Sequence, residues 1–244
     1  MIVKDISLII PLNNEEAAIS QFYSTLKDSL NQIGKSYEII FVDDGSSDGT
    51  YNKLINLCSF DKNCNILKLD RNYGQSAALW IGINFAEGDI IISMDGDLQH
   101  DPFDLSKFID KIYSGYDMVI GRRVYRADNF IIRRSLSLLG NKIFSLFFMG
   151  KLRDPSSSYR AFRKEIVKDI KPYLGLHRFM PLVVKKNISI CEIKTICNKR
   201  VFGKAHYRFN RACIVIYEFF LIIFFRRGAL NKYLYTITVE KIRQ

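Results

Sequence analysis

Residues 37–50 read YEIIFVDDGSSDGT, an unbroken apolar run that ends abruptly in two carboxylates and a glycine-serine turn. A short apolar run without polar alternation suits a strand buried on both faces, as in a parallel sheet covered by helices. Gly45, Gly49 and the intervening Ser and Asp residues supply the turn that follows it. Working outward, Ile6–Pro11, Asn65–Leu69, Ile90–Met94 and Asp117–Gly121 read as strands of the same kind. Between them, Glu15–Ile33 follows a cap signal at Asn13-Asn14, Tyr51–Ser59 follows a turn, and Gly74–Ala86 is small-residue rich, so all three are predicted helices. This alternation predicts an α/β protein with a Rossmann-like, mostly parallel sheet flanked by helices. Ligands in such sheets collect beyond the carboxyl ends of the strands.

The 244 residues and 48% apolar content are those of a globular chain with a sizeable core, which excludes disorder as the default. Five cysteines, scattered and without a CxxC pair, suggest neither a disulfide framework nor a zinc site, and fit a reducing, cytoplasmic setting. The opening MIVKDISLIIPL is interrupted by Lys4 and Asp5 and reads as a first strand rather than a signal peptide. The net charge of +11 is uneven: residues 199–244 carry ten Lys/Arg against Glu218 and Glu240. A basic end of this kind meets an anionic membrane, a phosphorylated substrate or nucleic acid, or is a solvated face. No helix-turn-helix, RNP or OB signature accompanies it, so no nucleic-acid partner is expected.

Two acidic motifs follow two different strands: DDGSSDGT at residues 43–50 and DGDLQHDP at residues 95–102. Carboxylates at the ends of buried strands are costly to desolvate unless a positive or hydrogen-bonding group meets them. A hard divalent cation, Mg²⁺ or Mn²⁺, is a natural partner for two carboxylates one residue apart beside a diphosphate. Asp-Gly pairs are also plain turn formers.

With the opening IIPLNNEE, these motifs resemble the inverting glycosyltransferase family 2, of GT-A fold. The segments DPSSSYR (154–160), GLHRF (175–179) and RVFGK (200–204) resemble its polyprenyl-phosphate branch. The resemblance implies a nucleotide-sugar donor, a divalent metal, a polyprenyl phosphate acceptor and action at the cytoplasmic face of a membrane. It implies that Pro11, Asn13, Glu15, Asp43 and Asp44 hold the nucleoside, and that Asp95, Asp97 and Gln99 are metal candidates on the donor side. Asn13 and Glu15 read equally as a helix cap with a first-turn acid, and Gln99 as a surface residue. Asp154 resembles an acid that orients the acceptor or acts as base, or is a turn-initiating Asp in a Pro loop. Arg122, Arg123, Arg133 and Arg134 offer guanidinium forks for an acceptor phosphate, and Arg200 and Lys204 a glycine-hinged loop over the donor diphosphate. His177 reads as a structural histidine or a ligand contact. The chain departs from the pattern at His206, where the family more often has Ser-Lys-Tyr after the glycine.

Asn129–Met149 is a long predicted helix. Ala212–Phe225, flanked by Arg211, Arg226 and Arg227, is the most apolar stretch. At about 1.5 Å per residue it falls short of a hydrocarbon core of about 30 Å, so it is expected to lie in the interface as an apolar, amphipathic helical segment, the alternative being a packed core helix. The expected division is a GT-A catalytic domain over 1–211 and a basic, membrane-associating segment over 212–244. Two rival functions remain: transfer to a saccharide hydroxyl, with Asp154 as base, and a non-catalytic nucleotide- or membrane-binding protein.

Overall fold

The computed structural model describes residues 4–125, 152–184, 187–198, 217, 218 and 222, and the strand 239–242; of Tyr125 and 239–242 only the backbone is considered. The strands are β1 (Ile6–Leu12), β2 (Tyr37–Asp43), β3 (Cys64–Leu69), β4 (Ile90–Ser93), β5 (Met118–Tyr125), β6 (Arg160–Arg163), β7 (Ile190–Ile196) and β8 (Val239–Ile242). Among the described residues the helices are α1 (Ile19–Ile33), α2 (Thr50–Cys58), α3 (Gln75–Phe85), α4 (Leu105–Tyr113), α5 (Lys164–Val167) and α6 (Leu176–Val183), with a 3₁₀ turn at Pro102–Asp104.

The strands form one mixed sheet in the order β7-β5-β6-β4-β1-β2-β3-β8. Its centre is parallel: β1 pairs with β2 and β4, and β2 with β3. β6 is inserted antiparallel between β4 and β5, and β8 runs antiparallel along β3 at the far edge. The sequence therefore predicts the parallel half correctly, and the antiparallel strands come as additions to it.

The alternation of side chains along a strand builds two cores. Ile6, Leu8 and Ile10 of β1, with Ile39 and Phe41 of β2, face Phe22 and Leu26 of α1, Leu54 of α2 and Phe108 of α4. Ile9, Ile40 and Val42 face the opposite layer, against Ala78 and Leu79 of α3 and Met180 of α6. Both faces are covered, which is why these strands read as continuous apolar runs. Truncating a side chain such as Phe22, fully buried, would cost about 3–5 kcal/mol.

Two boundaries differ from the sequence reading by more than a residue or two. α1 begins at Ile19, not Glu15, with Ala18 in the cap position and no side-chain cap. The Asn13 amide donates instead to the Asp44 carbonyl at 2.7 Å, and Asn14 Oδ1 accepts from the Ser47 and Asp48 amides at 2.8 and 3.3 Å. These two residues are thus engaged in joining the loop after β1 to the loop after β2, and the helix forms one turn later. β5 runs on to Tyr125 because β7 extends alongside it. The predicted helix 129–149 lies outside the described residues, as does most of Ala212–Phe225. Within the latter, Tyr217 is exposed whereas Glu218 and Ile222 are buried. Glu218 accepts from Arg178 Nη1 at 2.8 Å, and Ile222 packs with Phe179. Among the described residues no helix is long and apolar enough to cross a membrane.

Candidate functional site

Three loops converge at the carboxyl ends of β1, β2 and β4. The loop after β2 is held by its own acids. Asp44, buried, accepts from the Tyr73 and Gly74 amides at 2.7 and 2.8 Å, tying the loop to the start of α3. Asp48 accepts from the Thr50 amide and hydroxyl and from the Glu16 amide, and the Glu15 amide donates to the Thr50 hydroxyl. Gly45 takes φ +61 directly under the backbone of residues 71 and 72; a Cβ there would lie 2.5 Å from the Asn72 nitrogen. Only glycine combines that φ with that approach.

Asp43 closes β2 with no exposed surface. Its Oδ1 accepts from the Ser46 amide at 3.2 Å, while its buried Oδ2 has no hydrogen-bond partner among the described residues. Burial pushes the Asp43 and Asp44 carboxyls above their ordinary range. Burial pushes Asp48 the same way, but the hydrogen bonds from Thr50 and Glu16 outweigh it and hold that carboxyl low. An acceptor oxygen left open at a strand end is suited to an incoming N–H or hydroxyl.

The second acidic motif follows β4. Asp95 is bridged on both oxygens: Gln75 Nε2 donates to Oδ1 and Ser158 Oγ to Oδ2, each at 2.6 Å. Asp97, nearly buried, accepts from the Gln99 amide at 3.1 Å, and Leu98 between them is in the left-handed region at φ 63. A leucine with positive φ costs of order 1–3 kcal/mol, so the packing around this turn over-determines it. Gln99 contributes its main chain, the amide to Asp97 and the carbonyl to the Asn198 amide.

The donor set of Asp95 and Asp97 consists of oxygens alone, as a hard cation requires. Among the described residues no group of three or more His, Cys, Asp or Glu could hold a metal. The residues therefore fit an ion held by one or two carboxylates, the remaining positions going to substrate phosphates and water, the usual arrangement for Mg²⁺.

The third loop carries Asp154, and here the structure pairs two of the predicted residues with each other. Arg123 donates to Asp154 through Nε at 2.7 Å and Nη2 at 2.8 Å, a bidentate contact on a carboxylate that is almost fully buried. Burial opposes the charge on Arg123, but Asp154 more than offsets it and keeps the guanidinium firmly protonated. The Arg153 and Asp154 amides both donate to Glu192 Oε1 of β7 at 2.7 Å. Next to this pair Arg160 is wholly buried; it donates to the Ser157 and His177 carbonyls, and its Nη1 has no hydrogen-bond partner among the described residues. Burial lowers its pKa to about 10, so it remains a cation at neutral pH. His100, buried, sits 3.3 Å from Ser158 Oγ, and burial holds its imidazole below the usual range.

The structure thus brings Pro11, Asn13, Glu15, Asp43, Asp44, Asp95, Asp97, Gln99, Arg122, Arg123 and Asp154 to one end of the sheet. Arg122 precedes Arg123 on β5; its carbonyl accepts from Thr195 Oγ1 at 3.3 Å, and its charge works against the rise that burial imposes on the Glu192 carboxyl. Arg133, Arg134, Arg200 and Lys204 lie outside the described residues. Gln75, Ser158, Arg160 and Glu192 were not singled out in the sequence. Gln75 could have been found by its place: it is the first residue of a helix that follows a strand end in a ligand-binding crevice.

Residues 7–171 match the glycosyl transferase family 2. The dodecaprenyl-phosphate galacturonate synthase of Rhizobium johnstonii is 31% identical over 231 residues, 91% of this chain and 68% of that protein. The undecaprenyl-phosphate 4-deoxy-4-formamido-L-arabinose transferase of Photorhabdus laumondii is 31% identical over 221 residues, 88% of this chain and 67% of that protein. Among solved structures, glucosyl-3-phosphoglycerate synthase of Mycobacterium tuberculosis with phosphoglyceric acid superposes with a TM-score of 0.71 at 18% identity, covering 97% of this chain and 87% of that one. The same enzyme with Mn²⁺, UDP and glucosyl-3-phosphoglycerate gives 0.68 at 18% identity, covering 89% and 79%. The protein therefore belongs to glycosyl transferase family 2, with a GT-A-like fold.

Proposed function

We propose that the chain transfers a sugar from a nucleoside-diphosphate sugar to a polyprenyl phosphate at the inner face of a membrane, inverting the anomeric centre. The acceptor class comes from two relatives, 31% identical over about nine tenths of the chain, whose names describe transfer to undecaprenyl and dodecaprenyl phosphate. The donor class is supported by a structural neighbour seen with Mn²⁺ and UDP-glucose.

The observation that carries the reading is the engagement of Asp154, both of whose oxygens accept from Arg123. A sugar hydroxyl as nucleophile needs a base within reach, and a carboxylate bound in this way is poorly placed to take a proton. A phosphate monoester, with a second pKa near 6, is already largely ionised at neutral pH and needs none. Its oxygen attacks the anomeric carbon while the bond from that carbon to the diphosphate oxygen breaks, and the nucleoside diphosphate leaves with the electron pair.

In this reading Asp43 accepts from the base or ribose through Oδ2, Asn13 and Asp44 hold the loop around it, and Pro11 forms the floor. Asp95 and Asp97 would hold the divalent ion, Mg²⁺ or Mn²⁺, which when bound neutralises charge on the diphosphate. Gln99 keeps the Asp97 turn in shape. Arg122, Arg123, Arg133 and Arg134 serve the acceptor phosphate and Arg200 and Lys204 the donor diphosphate, because two anionic substrates must be brought together. The segment 212–244 would approach the membrane beside a catalytic region over 1–211.

The test is a product assay with radiolabelled nucleotide sugars and Mn²⁺, comparing undecaprenyl phosphate with saccharide acceptors. Lipid-phosphate product from the wild type and none from Asp97→Asn, with the variant's melting temperature unchanged, is the expected result. Product only on saccharides, or turnover that persists in EDTA, would overturn it.

A further inference from the structure

The turn after β4 and the loop before β6 are joined through a buried histidine, His100. Its ring lies against that of Tyr159, with centroids 5.0 Å apart, and Tyr159 packs in turn on Phe108 at 4.2 Å. The main chain around it is pinned as well: His100 forms a bridge to Cys197, and the Asp101 carbonyl accepts from the Tyr159 hydroxyl at 3.2 Å. Packing thus sets where the ring sits, and its two nitrogens differ sharply in what they meet. Nδ1 is buried with no hydrogen-bond partner among the described residues, whereas Nε2 lies 3.3 Å from Ser158 Oγ.

The direction of that contact follows from its neighbour. Ser158 Oγ is also 2.6 Å from Asp95 Oδ2. A carboxylate only accepts and a hydroxyl has a single hydrogen to give, so the Ser158 hydrogen points at Asp95. The contact with His100 then runs the other way, with Nε2 carrying a hydrogen and donating it to Ser158 Oγ. The result is a one-way chain, His100 to Ser158 to Asp95, which starts and ends in the acidic motif and passes through the DPSSSYR loop. Ser158 is itself tethered, because its carbonyl accepts from Ser93 Oγ at the end of β4 at 2.9 Å.

We propose that His100 and Ser158 are positioning residues for the divalent ion, setting the orientation in which Asp95 meets it. The proposal rests on the glycosyltransfer reading, in which Asp95 and Asp97 hold that ion, and adds two residues that act on it only through Asp95. The torsion that turns an aspartate carboxylate is broad, so the group needs partners to keep one angle. Asp95 has one on each oxygen, Gln75 on Oδ1 and Ser158 on Oδ2, and its remaining lone pairs stay open. A hydroxyl that is itself held by a donor is polarised and becomes a stronger donor in turn. Such support matters most where the protein supplies few ligands, and among the described residues no group of three or more His, Cys, Asp or Glu gathers here.

The experiment measures Mn²⁺ affinity through the electron paramagnetic resonance signal of the free ion. It uses the full chain saturated with whichever of UDP, GDP and dTDP the wild type binds most tightly. Ser158→Ala should weaken Mn²⁺ binding about tenfold and His100→Ala about threefold. The amide of glutamine reaches the place of Nε2 and that of asparagine the place of Nδ1. His100→Gln should therefore stay within about twofold of the wild type, while His100→Asn should match His100→Ala. In the Ser158→Ala background, His100→Ala should add a further loss of less than about twofold, since the path to Asp95 is already cut. Losses that multiply in the double variant, equal affinities in His100→Gln and His100→Asn, or an unchanged affinity in Ser158→Ala would each make His100 a packing residue and overturn the proposal. Should His100→Ala fail to fold, the comparison of His100→Gln with His100→Asn decides by itself. A wild type that binds none of the three nucleotides with Mn²⁺ and transfers no sugar would instead bring down the glycosyltransfer reading, a result that needs no variant.

Discussion

The loop after β2 and the loop before β6 both cap the same end of the sheet, yet only the second adds a buried ion pair to its main-chain contacts. In the first, carboxylates and an amide side chain accept from main-chain N–H groups: Asp44 from Tyr73 and Gly74, Asp48 from Thr50 and Glu16, Asn14 from Ser47 and Asp48. The second also has main-chain amides on a carboxylate, Arg153 and Asp154 on Glu192, but there side-chain charge meets side-chain charge as well, with Arg123 on Asp154 and a wholly buried Arg160 beside them. Main-chain contacts share a loop's strength among many small terms. A buried ion pair concentrates it in one, because each charge is tolerated only while its partner stays. The nucleotide-facing loop should therefore weaken by degrees and the other fail all at once.

The most severe test of that contrast is Arg123→Ala. It leaves Asp154, 5% exposed, without its counter-charge, and urea denaturation should show a loss of about 3–5 kcal/mol. The double variant Arg123→Met/Asp154→Leu should recover most of it, since neither charge then remains buried. A loss below about 1 kcal/mol for the single variant would place this pair among ordinary surface bridges and end the contrast.

Gly45→Ala comes next, because it attacks the first loop where backbone rather than hydrogen bonding decides. An alanine at φ +61, pressed on the Arg71–Asn72 backbone, should cost about 3 kcal/mol from strain and overpacking together. Thermal unfolding would register this directly. A neutral result would mean that the loop shifts freely against α3.

Asn14→Gly is gentler. Glycine accepts the φ of 57 found at Asn14, so the variant removes only the side-chain acceptor shared by Ser47 and Asp48, and about 1 kcal/mol should be lost. A loss as large as that of Arg123→Ala would show that this loop, too, hangs on one residue.

The smallest effect is electrostatic and has two signs. Asp43 and Asp44 have folded-state pKa values raised by burial, so the folded chain holds protons that the unfolded chain releases. Their contribution is favourable at low pH and fades as pH rises from about 3.8 through the raised values. Asp48 is lowered despite burial by its Thr50 and Glu16 contacts, so its contribution is present above 3.8 and lost as pH falls through the lowered value. Carboxyl NMR titration should therefore find Asp48 titrating at lower pH than both neighbours. Asp43→Asn should be slightly more stable than wild type at pH 7 in the absence of nucleotide.

How far these features could be read from the sequence depends on what each residue is answerable to. β1 to β4 were legible because burial on both faces demands unbroken apolar runs. β6 was not, since a four-residue strand, RAFR, carries a buried arginine where pattern expects an aliphatic residue. β7, ICEIKTI, alternates with Glu192 and Lys194 and reads as surface. The acids of the site were visible at the strand ends, but their partners were not. Arg123 and Asp154 were noticed separately, for different tasks, and nothing in either stretch announces that each occupies the other. Asn13 and Asn14 gave a false helix start because the same side chains serve as caps or as loop clamps, and only the neighbouring loop decides between them.

β8 has a consequence for how the molecule assembles. Its register sets Val239 opposite Leu69 and Ile242 opposite Ile66, contacts between positions very far apart in the chain. Such pairing adds loop-closure entropy before any reward, and slows folding relative to pairing between successive strands. The parallel centre should accordingly form first, with β3 left for a time as an open edge whose unpaired N–H and C=O groups invite a strand from another molecule. Refolding yield should then fall with protein concentration, and an excess of a free peptide copying residues 239–242 should compete for that edge during refolding but not after it.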